Sequence, residues 1–453
     1  MITRRLGWAA ALVLVLLAGG CGGTPEDPTA QVDSPDAATA TDAPAGADTD
    51  AATGAATDDG TETTGAATET PAGDGTAASG EPIRIGVSLP LTGDFSEPGQ
   101  GIREGYEVWA ADVNEAGGLL GRQVELLFRD DGSDPNTAVS DYEQLITSEE
   151  VDLVFGPFSS RLVIPTSEVA EQYGMLFVEP AGAAAEVFER GLEYLFYAAP
   201  AIASDHYDYL AEWILALPEG ERPATAAYAS LDDPFAQGTA YGLRDQLQEA
   251  GIETVADEVY PPGQTDFSAI AARVADANAD IVVGGTQFED SVGLVRAFQE
   301  LGYQPRLAAF STGPTLPEFP EAVGGAADGI LSPVGWSDRA EHPSNQEFVA
   351  SHTEMFGRPP SEDAANGYTV GQIVAQAVEG VGCAEQGDCQ TQLRDYIRAN
   401  EFETVVGPLS FDEAGRPLAA HMVQQWIDGT VEIVLPEGSE VQTADIVYPK
   451  PEW

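Results

Sequence analysis

Residues 151–173 read VDLVFGPFSSRLVIPTSEVAEQY, and the fold turns on how this stretch is parsed. The apolar run Val151–Phe155 fits a buried strand of a parallel sheet. Gly156 and Pro157 stop it. Ser159 and Ser160 then open a helix whose apolar positions fall at Leu162, Val163, Val169 and Ala170. A helix start leaves backbone N–H groups unpaired and carries partial positive charge, so it can seat an anion such as a carboxylate. Serine there is also the ordinary N-cap residue. Taken alone, the segment favours the plain cap.

The neighbouring sequence shifts that balance. Upstream, Ile83–Leu89 alternates as a strand, Pro90–Pro98 is turn-rich, and Gln100–Ala116 is an amphipathic helix facing inward through Ile102, Tyr106, Trp109 and Val113. Val124–Phe128 is the next strand, and Asp134-Pro135 starts another helix as cap and first helical residue. Downstream, Met175–Glu179, Ala224–Ser230, Val255–Tyr260, Ile281–Gly284, Leu307–Phe310 and Gly329–Ser332 read as strands. Phe235–Ala250, Phe267–Ala277 (with Thr265 as expected cap) and Ser291–Leu301 read as helices. Sustained βα alternation over this length predicts an α/β fold of two doubly wound parallel sheets. Ligands of such sheets sit beyond the carboxyl ends of the strands, which is where Gly156–Ser160 falls. The last third is predicted to hold helices at Gln346–Phe356, Ala364–Glu379 and Gln390–Ala399, then Val405–Phe411, a turn, and the strand Met422–Ile427.

Composition narrows the function. Among 453 residues, 75 Asp and Glu against 19 Lys and Arg give a formal net charge of -56, and Lys450 is the single lysine. A body so acidic is no partner for nucleic acid, which needs a basic surface. The acidity reads as adaptation to a saline habitat, where salt screens the surface. Residues 1–20 form a targeting segment: Arg4 and Arg5, the apolar run Trp8–Leu17, then small residues before Cys21. The run is too short for a comfortable membrane span. It resembles a bacterial lipoprotein signal, which makes Cys21 the lipidated mature N-terminus, although Ala18 stands where that pattern prefers Leu; an ordinary cleaved secretory signal is the alternative. Residues 21–80 are an Ala/Thr/Asp/Gly linker whose composition predicts disorder and a tethering role. Cys383 and Cys389 are expected to form a local disulfide in an exported protein, with two free thiols as the alternative.

Several motifs in order then carry a family. IRIGVSLPLTGDFSEPGQ (83–100), NEAGGLLGR (114–122), RDDGSDP (129–135), GPFSS (156–160), Thr265–Ser268, ELGY (300–303), GPLSF (407–411) and YPKPEW (448–453) are similar to those of extracytoplasmic solute-binding proteins of ABC importers, in the branched-chain amino-acid-binding class. The resemblance covers residues 82–453. It implies the type I periplasmic-binding-protein fold: two lobes joined by three hinge crossovers, at about 82–199 plus 333–420 and 200–332 plus 421–453, closing on a ligand.

The resemblance also implies site residues. Ser160, with Ser159 beside it at the helix start, matches the serine that takes the ligand carboxylate, and Ala181, with Gly182, a backbone contact. Ala183 stands where amino-acid binders have a threonine for the ligand ammonium. Phe95 and Phe235 match aromatic residues of the cleft, Thr286 stands where an aromatic residue often touches ligand, and Asp363 falls near a ligand-contacting position. Around Ser311–Pro314 amino-acid binders carry a glutamate for the ammonium; this chain has Ser311, Thr312 and Gly313. A buried ammonium without an anionic partner is costly. Either Asp363 or Glu289 supplies that charge, or the ligand lacks an α-ammonium. Trp336 is a candidate stacking residue, or a core residue.

The resulting expectation is a non-enzymatic, membrane-anchored, monomeric binding component, outside the cytoplasm, that delivers an amino acid or related small carboxylate or amide to permease and ATPase subunits. No cofactor and no metal are expected. A ligand-sensing receptor with a separate signalling partner is the alternative. An enzyme lacks support: the chain holds no GxSxG, HExxH, P-loop or CxxC, and its four histidines are scattered.

Overall fold

The computed structural model describes residues 80–453; the targeting segment, Cys21 and nearly all of the linker expected at 21–80 lie outside the described residues. The chain first lays down β1 (Ile83–Leu89), α1 (Ser96–Glu115), β2 (Val124–Asp130), α2 (Pro135–Thr147), β3 (Leu153–Phe155), α3 (Ser160–Tyr173), β4 (Phe177–Glu179), α4 (Ala185–Phe188) and β5 (Leu195–Tyr197). These strands form a parallel sheet in the order β2-β1-β3-β4-β5. The next segment gives α5 (Asp208–Ala216), β6 (Thr225–Leu231), α6 (Pro234–Glu249), β7 (Glu253–Tyr260), α7 (Ser268–Ala277), β8 (Ile281–Gly285), α8 (Phe288–Leu301), β9 (Leu307–Phe310), α9 (Phe319–Val323) and β10 (Ile330–Val334). The chain then adds α10 (Asn345–Phe356), α11 (Glu362–Val381), α12 (Asp388–Ala399), β11 (Phe402–Thr404) and β12 (Gly407–Leu409) to the first lobe, and ends with β13 (Met422–Ile427) and β14 (Thr430–Leu435) in the second.

The second sheet runs β14-β13-β10-β9-β8-β6-β7. It is not wholly parallel: β13 pairs antiparallel with β10, and β14 with β13. Within the stretch Val405–Phe411, Gly407–Leu409 forms β12, which pairs antiparallel with β11 in a short hairpin. Thr265, expected as the cap of α7, is not it: the N-cap is Phe267, without a side-chain cap bond, and the Asp266 carboxylate accepts the Ser268 N–H at 3.0 Å. Asp134 does cap α2, accepting the Thr137 N–H, with Pro135 at the first helical position.

The inner strands of each sheet, β1, β3, β4, β6, β8 and β9, are buried on both faces, as their near-continuous apolar runs require. One core of the first lobe joins Ile83, Ile85, Tyr106, Trp109 and Phe155 to Phe348, Ile373 and Leu393 of the returning helices. Those helices are held close by small residues: a Cβ on Gly105 of α1 would lie 2.0 Å from the Ala364 carbonyl oxygen of α11. A disulfide joins Cys383, just past α11, to Cys389 in α12. Three segments connect the lobes: between β5 and α5, between β10 and α10, and between β12 and β13. Both sheets point the carboxyl ends of β3, β4, β6, β8 and β9 at the cleft between the lobes.

Candidate functional site

On the first-lobe side, the end of β3 is fixed by two phenols. Tyr106 donates to the Gly156 carbonyl at 2.9 Å, and Tyr142 donates to that of Phe155 at 2.5 Å. Gly156 permits β3 and β4 to close up, since a Cβ there would stand 2.2 Å from that of Glu179. The turn delivers Ser159 as the N-cap of α3. Its hydroxyl is buried and has no hydrogen-bond partner. Ser160 differs: it is fully buried, and its oxygen accepts the Ala184 N–H at 3.0 Å.

Two adjoining cavities occupy the cleft. The inner one, about 80 Å³, is lined from the first lobe by Phe158, Ser159, Ala181 and Tyr197, from the second by Phe235, Ser311 and Thr312, from the crossovers by His206 and His421, and from the start of α11 by Glu362, Asp363 and Asn366. The outer one, about 490 Å³, includes Phe95, Glu97, Arg161, Asp233, Gln287 and Glu289. Thr312, Leu316 and Asp363 line both.

The crossovers meet beside the inner cavity. The rings of His206 and His421 stack with centroids 3.9 Å apart. Glu362 accepts the Gly335 N–H at 2.6 Å, tying α11 to the second crossover. Burial lowers the His206 pKa to about 4, against the opposing hydrogen bond to the Ala201 carbonyl. Burial, and then the charge of His206, lowers that of His421 well below the usual value. Both rings are therefore neutral at pH 7. Burial raises Glu362 to about 8, despite the Gly335 N–H, and raises Asp363 to about 7 with help from the charge of Glu97. Among the described residues, Asp363 has neither hydrogen-bond nor ion-pair partner for its carboxylate.

The structure brings together six of the residues singled out from the sequence. Ser159, Ala181, Phe235, Thr312 and Asp363 line the inner cavity; Phe95 lines the outer one and meets Phe158 edge-on at 5.5 Å. Five stand back from both. Ser160 is engaged as described. Ala183 is buried, with its carbonyl accepting the Ala203 N–H. Gly182 and Ala181 both donate their N–H groups to Glu179, so these donors face a carboxylate of the chain itself. Thr286 is fully buried, its hydroxyl accepting from Ser291. Trp336 is a core residue: its indole N–H donates to Asn345 at 2.7 Å and its ring meets Phe348 edge-on. Ser311 is also engaged, exchanging hydrogen bonds with the backbone of Thr286. Glu179 is fully buried and raised to about 8 by burial, the Gly182 and Ala181 N–H groups opposing this.

The residues missing from the sequence reading are Glu179, Tyr197, His206, Glu362, Asn366 and His421. For Glu362 and Asn366 a signal existed. The helix predicted at Ala364–Glu379 begins at Glu362 in the structure, so Glu362, Asp363 and Asn366 share one helix end. The histidines gave none, because they are brought together only by the return of the chain.

A cleft between two doubly wound sheets, entered from the carboxyl ends of their strands and crossed three times by the chain, defines a type I periplasmic binding protein. The comparisons agree. Residues 82–430 match the family model described as periplasmic binding protein. The chain is 27% identical over 349 residues to Leu/Ile/Val-binding protein homolog 1 of Brucella melitensis, covering 77% of this chain and 91% of that one. It superimposes with a TM-score of 0.69, at 23% identity, on the branched-chain amino acid transporter substrate-binding protein LivJ of Streptococcus pneumoniae in complex with isoleucine, covering 82% of this chain and 100% of that one. A solute-binding protein of an ABC transporter from R. palustris, in complex with benzoate, gives 0.68 at 19% identity, with 82% and 98% coverage. The chain belongs to the periplasmic binding protein family. Among the described residues no helix is long and apolar enough to cross a membrane.

Proposed function

We propose that this protein captures an amino acid or related small carboxylate or amide between its lobes and delivers it to the permease of an ABC importer. The observation that carries this reading is the inner cavity, whose lining residues hold four buried polar atoms without partners: Ser159 Oγ, Asn366 Oδ1, His206 Nδ1 and His421 Nδ1. Buried polar atoms are ordinarily satisfied, so their gathering at one cavity marks where a polar solute completes them. The names of the relatives, Leu/Ile/Val-binding in one case and benzoate-bound in another, bracket the class.

In this reading the ligand carboxylate approaches Ser159 and the start of α3, where the hydroxyl and unpaired N–H groups face it. Phe158 and Phe235 enclose the solute. The lobes, 82–199 plus 333–420 and 200–332 plus 421–453, close by rotation at the three crossovers. Closure presents a surface to the permease, and the binding component itself does no chemistry. Lipidated Cys21 and the linker hold a monomeric body outside the cell membrane.

Thermal unfolding of the purified protein against amino acids, amides and aliphatic or aromatic acids tests the reading. A solute that binds only the folded state, at a hundredfold over its Kd, adds about 2.7 kcal/mol and raises the midpoint. A panel without any shift contradicts solute capture.

A further inference from the structure

The resemblance implies a threonine and a glutamate for a ligand ammonium; at those places this chain has Ala183 and Ser311–Gly313. Ala183 is buried and has no polar side-chain atom, and Ser311, though it lines the inner cavity, already exchanges hydrogen bonds with the backbone of Thr286. The walls of the inner cavity nevertheless hold an excess of acceptors. Asp363 has a free carboxylate, and Glu362 spends one oxygen on the Gly335 N–H. Asn366, 8% exposed, has an unpartnered side-chain oxygen. His206, 5% exposed, places Nε2 3.1 Å from the Ala201 carbonyl. A carbonyl only accepts, so Nε2 bears the hydrogen, and the unpartnered Nδ1 of the neutral ring holds a lone pair. No lysine or arginine lines this cavity.

Acceptors gathered without a cation call for a donor-rich cation from outside. We propose that the inner cavity is a cation subsite, in which Asp363 and Glu362 bind the protonated amine of the solute and His206 and Asn366 supply further acceptors. The inference rests on the solute-capture reading and narrows it to amine-bearing solutes. It moves recognition of the ammonium from the second lobe to the start of α11 in the first. The remainder of the solute passes Thr312 and Leu316 into the outer cavity, which shares both residues and Asp363. The carboxylates of that outer cavity, Glu97 and Glu289 among them, favour the approach of a cation and oppose that of a free acid.

The structural alternative is that Glu362 and Asp363 serve only the helix start, where acidic residues are favourable. Two probes of one skeleton separate the possibilities. L-leucine carries the amine, and 4-methylpentanoate is the same molecule without it. Titration calorimetry of the full chain at pH 8 is expected to give binding of leucine, with 4-methylpentanoate weaker by at least about a hundredfold, because it leaves the acceptors unpaired. Asp363→Asn should weaken leucine binding by at least about tenfold. Its unliganded unfolding midpoint should be unchanged or higher, since a carboxylate raised by burial is relieved by neutralisation. Glu362→Gln, which keeps an acceptor for Gly335, should weaken leucine binding in the same direction. If 4-methylpentanoate binds as well as leucine, or Asp363→Asn binds leucine like the wild type, the subsite is refuted while solute capture stands. If neither probe binds, both are refuted for this class of solute.

Discussion

Ser159 and Ser160 are adjacent yet face opposite demands. Ser160 satisfies the Ala184 N–H within the core, so Ser160→Ala should cost about 1 kcal/mol by leaving that donor unpaired. The Ser159 oxygen is buried with no partner, so Ser159→Ala should leave unliganded stability unchanged or slightly higher while weakening solute binding. Paired denaturant titrations of the two variants, with a solute titration of each, check this; equal stability losses would contradict the assignment. The carboxylates set a second expectation. Asp363 and Glu362 are raised to about 7 and 8, so in the empty cleft at pH 6 they are largely protonated. An amine needs them ionised, so its affinity should fall as pH drops from 8 to 6, and calorimetry at both pH values reads the change. An affinity that rises on acidification would contradict it.

At the scale of the elements, α11 is what places Glu362, Asp363 and Asn366, and it is positioned by its crossing with α1. Gly105→Ala would drive a methyl group into the Ala364 carbonyl, costing about 1–3 kcal/mol and displacing the acidic turn. A loss of stability and of solute affinity together is expected from thermal melts and titration, and an unaffected affinity would show that the turn is placed by other contacts. The disulfide at the far end of α11 closes only a short loop, so Cys383→Ser should cost about 2 kcal/mol in a denaturant titration, with binding little changed. Most of the parallel strands were legible because they are short apolar runs closed by turn residues, as at Val151–Pro157, whereas β5 (Leu195–Tyr197) and α5 (Asp208–Ala216) were not read. β14 was not: Thr430–Leu435 carries Glu432 amid its apolar residues, and its pairing with β13 is a tertiary fact. The site was legible where a motif fixes a backbone position, as for Ser159, Phe95 and Phe235. It failed where a side chain's destination depends on distant chain. His206 meets His421 across more than two hundred residues.

For the whole molecule, charge dominates. Burial raises Asp131, Asp290 and Asp363 to about 7, and Glu179 and Glu362 to about 8. The folded state therefore holds protons on these groups that the unfolded chain releases near pH 4, so their contribution is full below that pH and is lost as pH rises through 7 to 8. His206 and His421 act oppositely, because both are held neutral, and they cost stability only as pH falls below the ordinary histidine value near 6.5. The unliganded protein should therefore be more stable at pH 6.5 than at pH 8.5, in thermal melts at fixed ionic strength; a midpoint that rises toward pH 8.5 would contradict this. The formal charge of -56 acts in the same direction, and salt should narrow the difference.

The most direct test of the account is a crystal structure of the protein grown with leucine. Leucine is expected with its carboxylate at Ser159 and the start of α3, its nitrogen within hydrogen-bonding distance of Asp363, and its side chain directed past Thr312 and Leu316 into the outer cavity. A solute bound elsewhere, or one whose nitrogen turns away from α11 toward the second lobe, would contradict it.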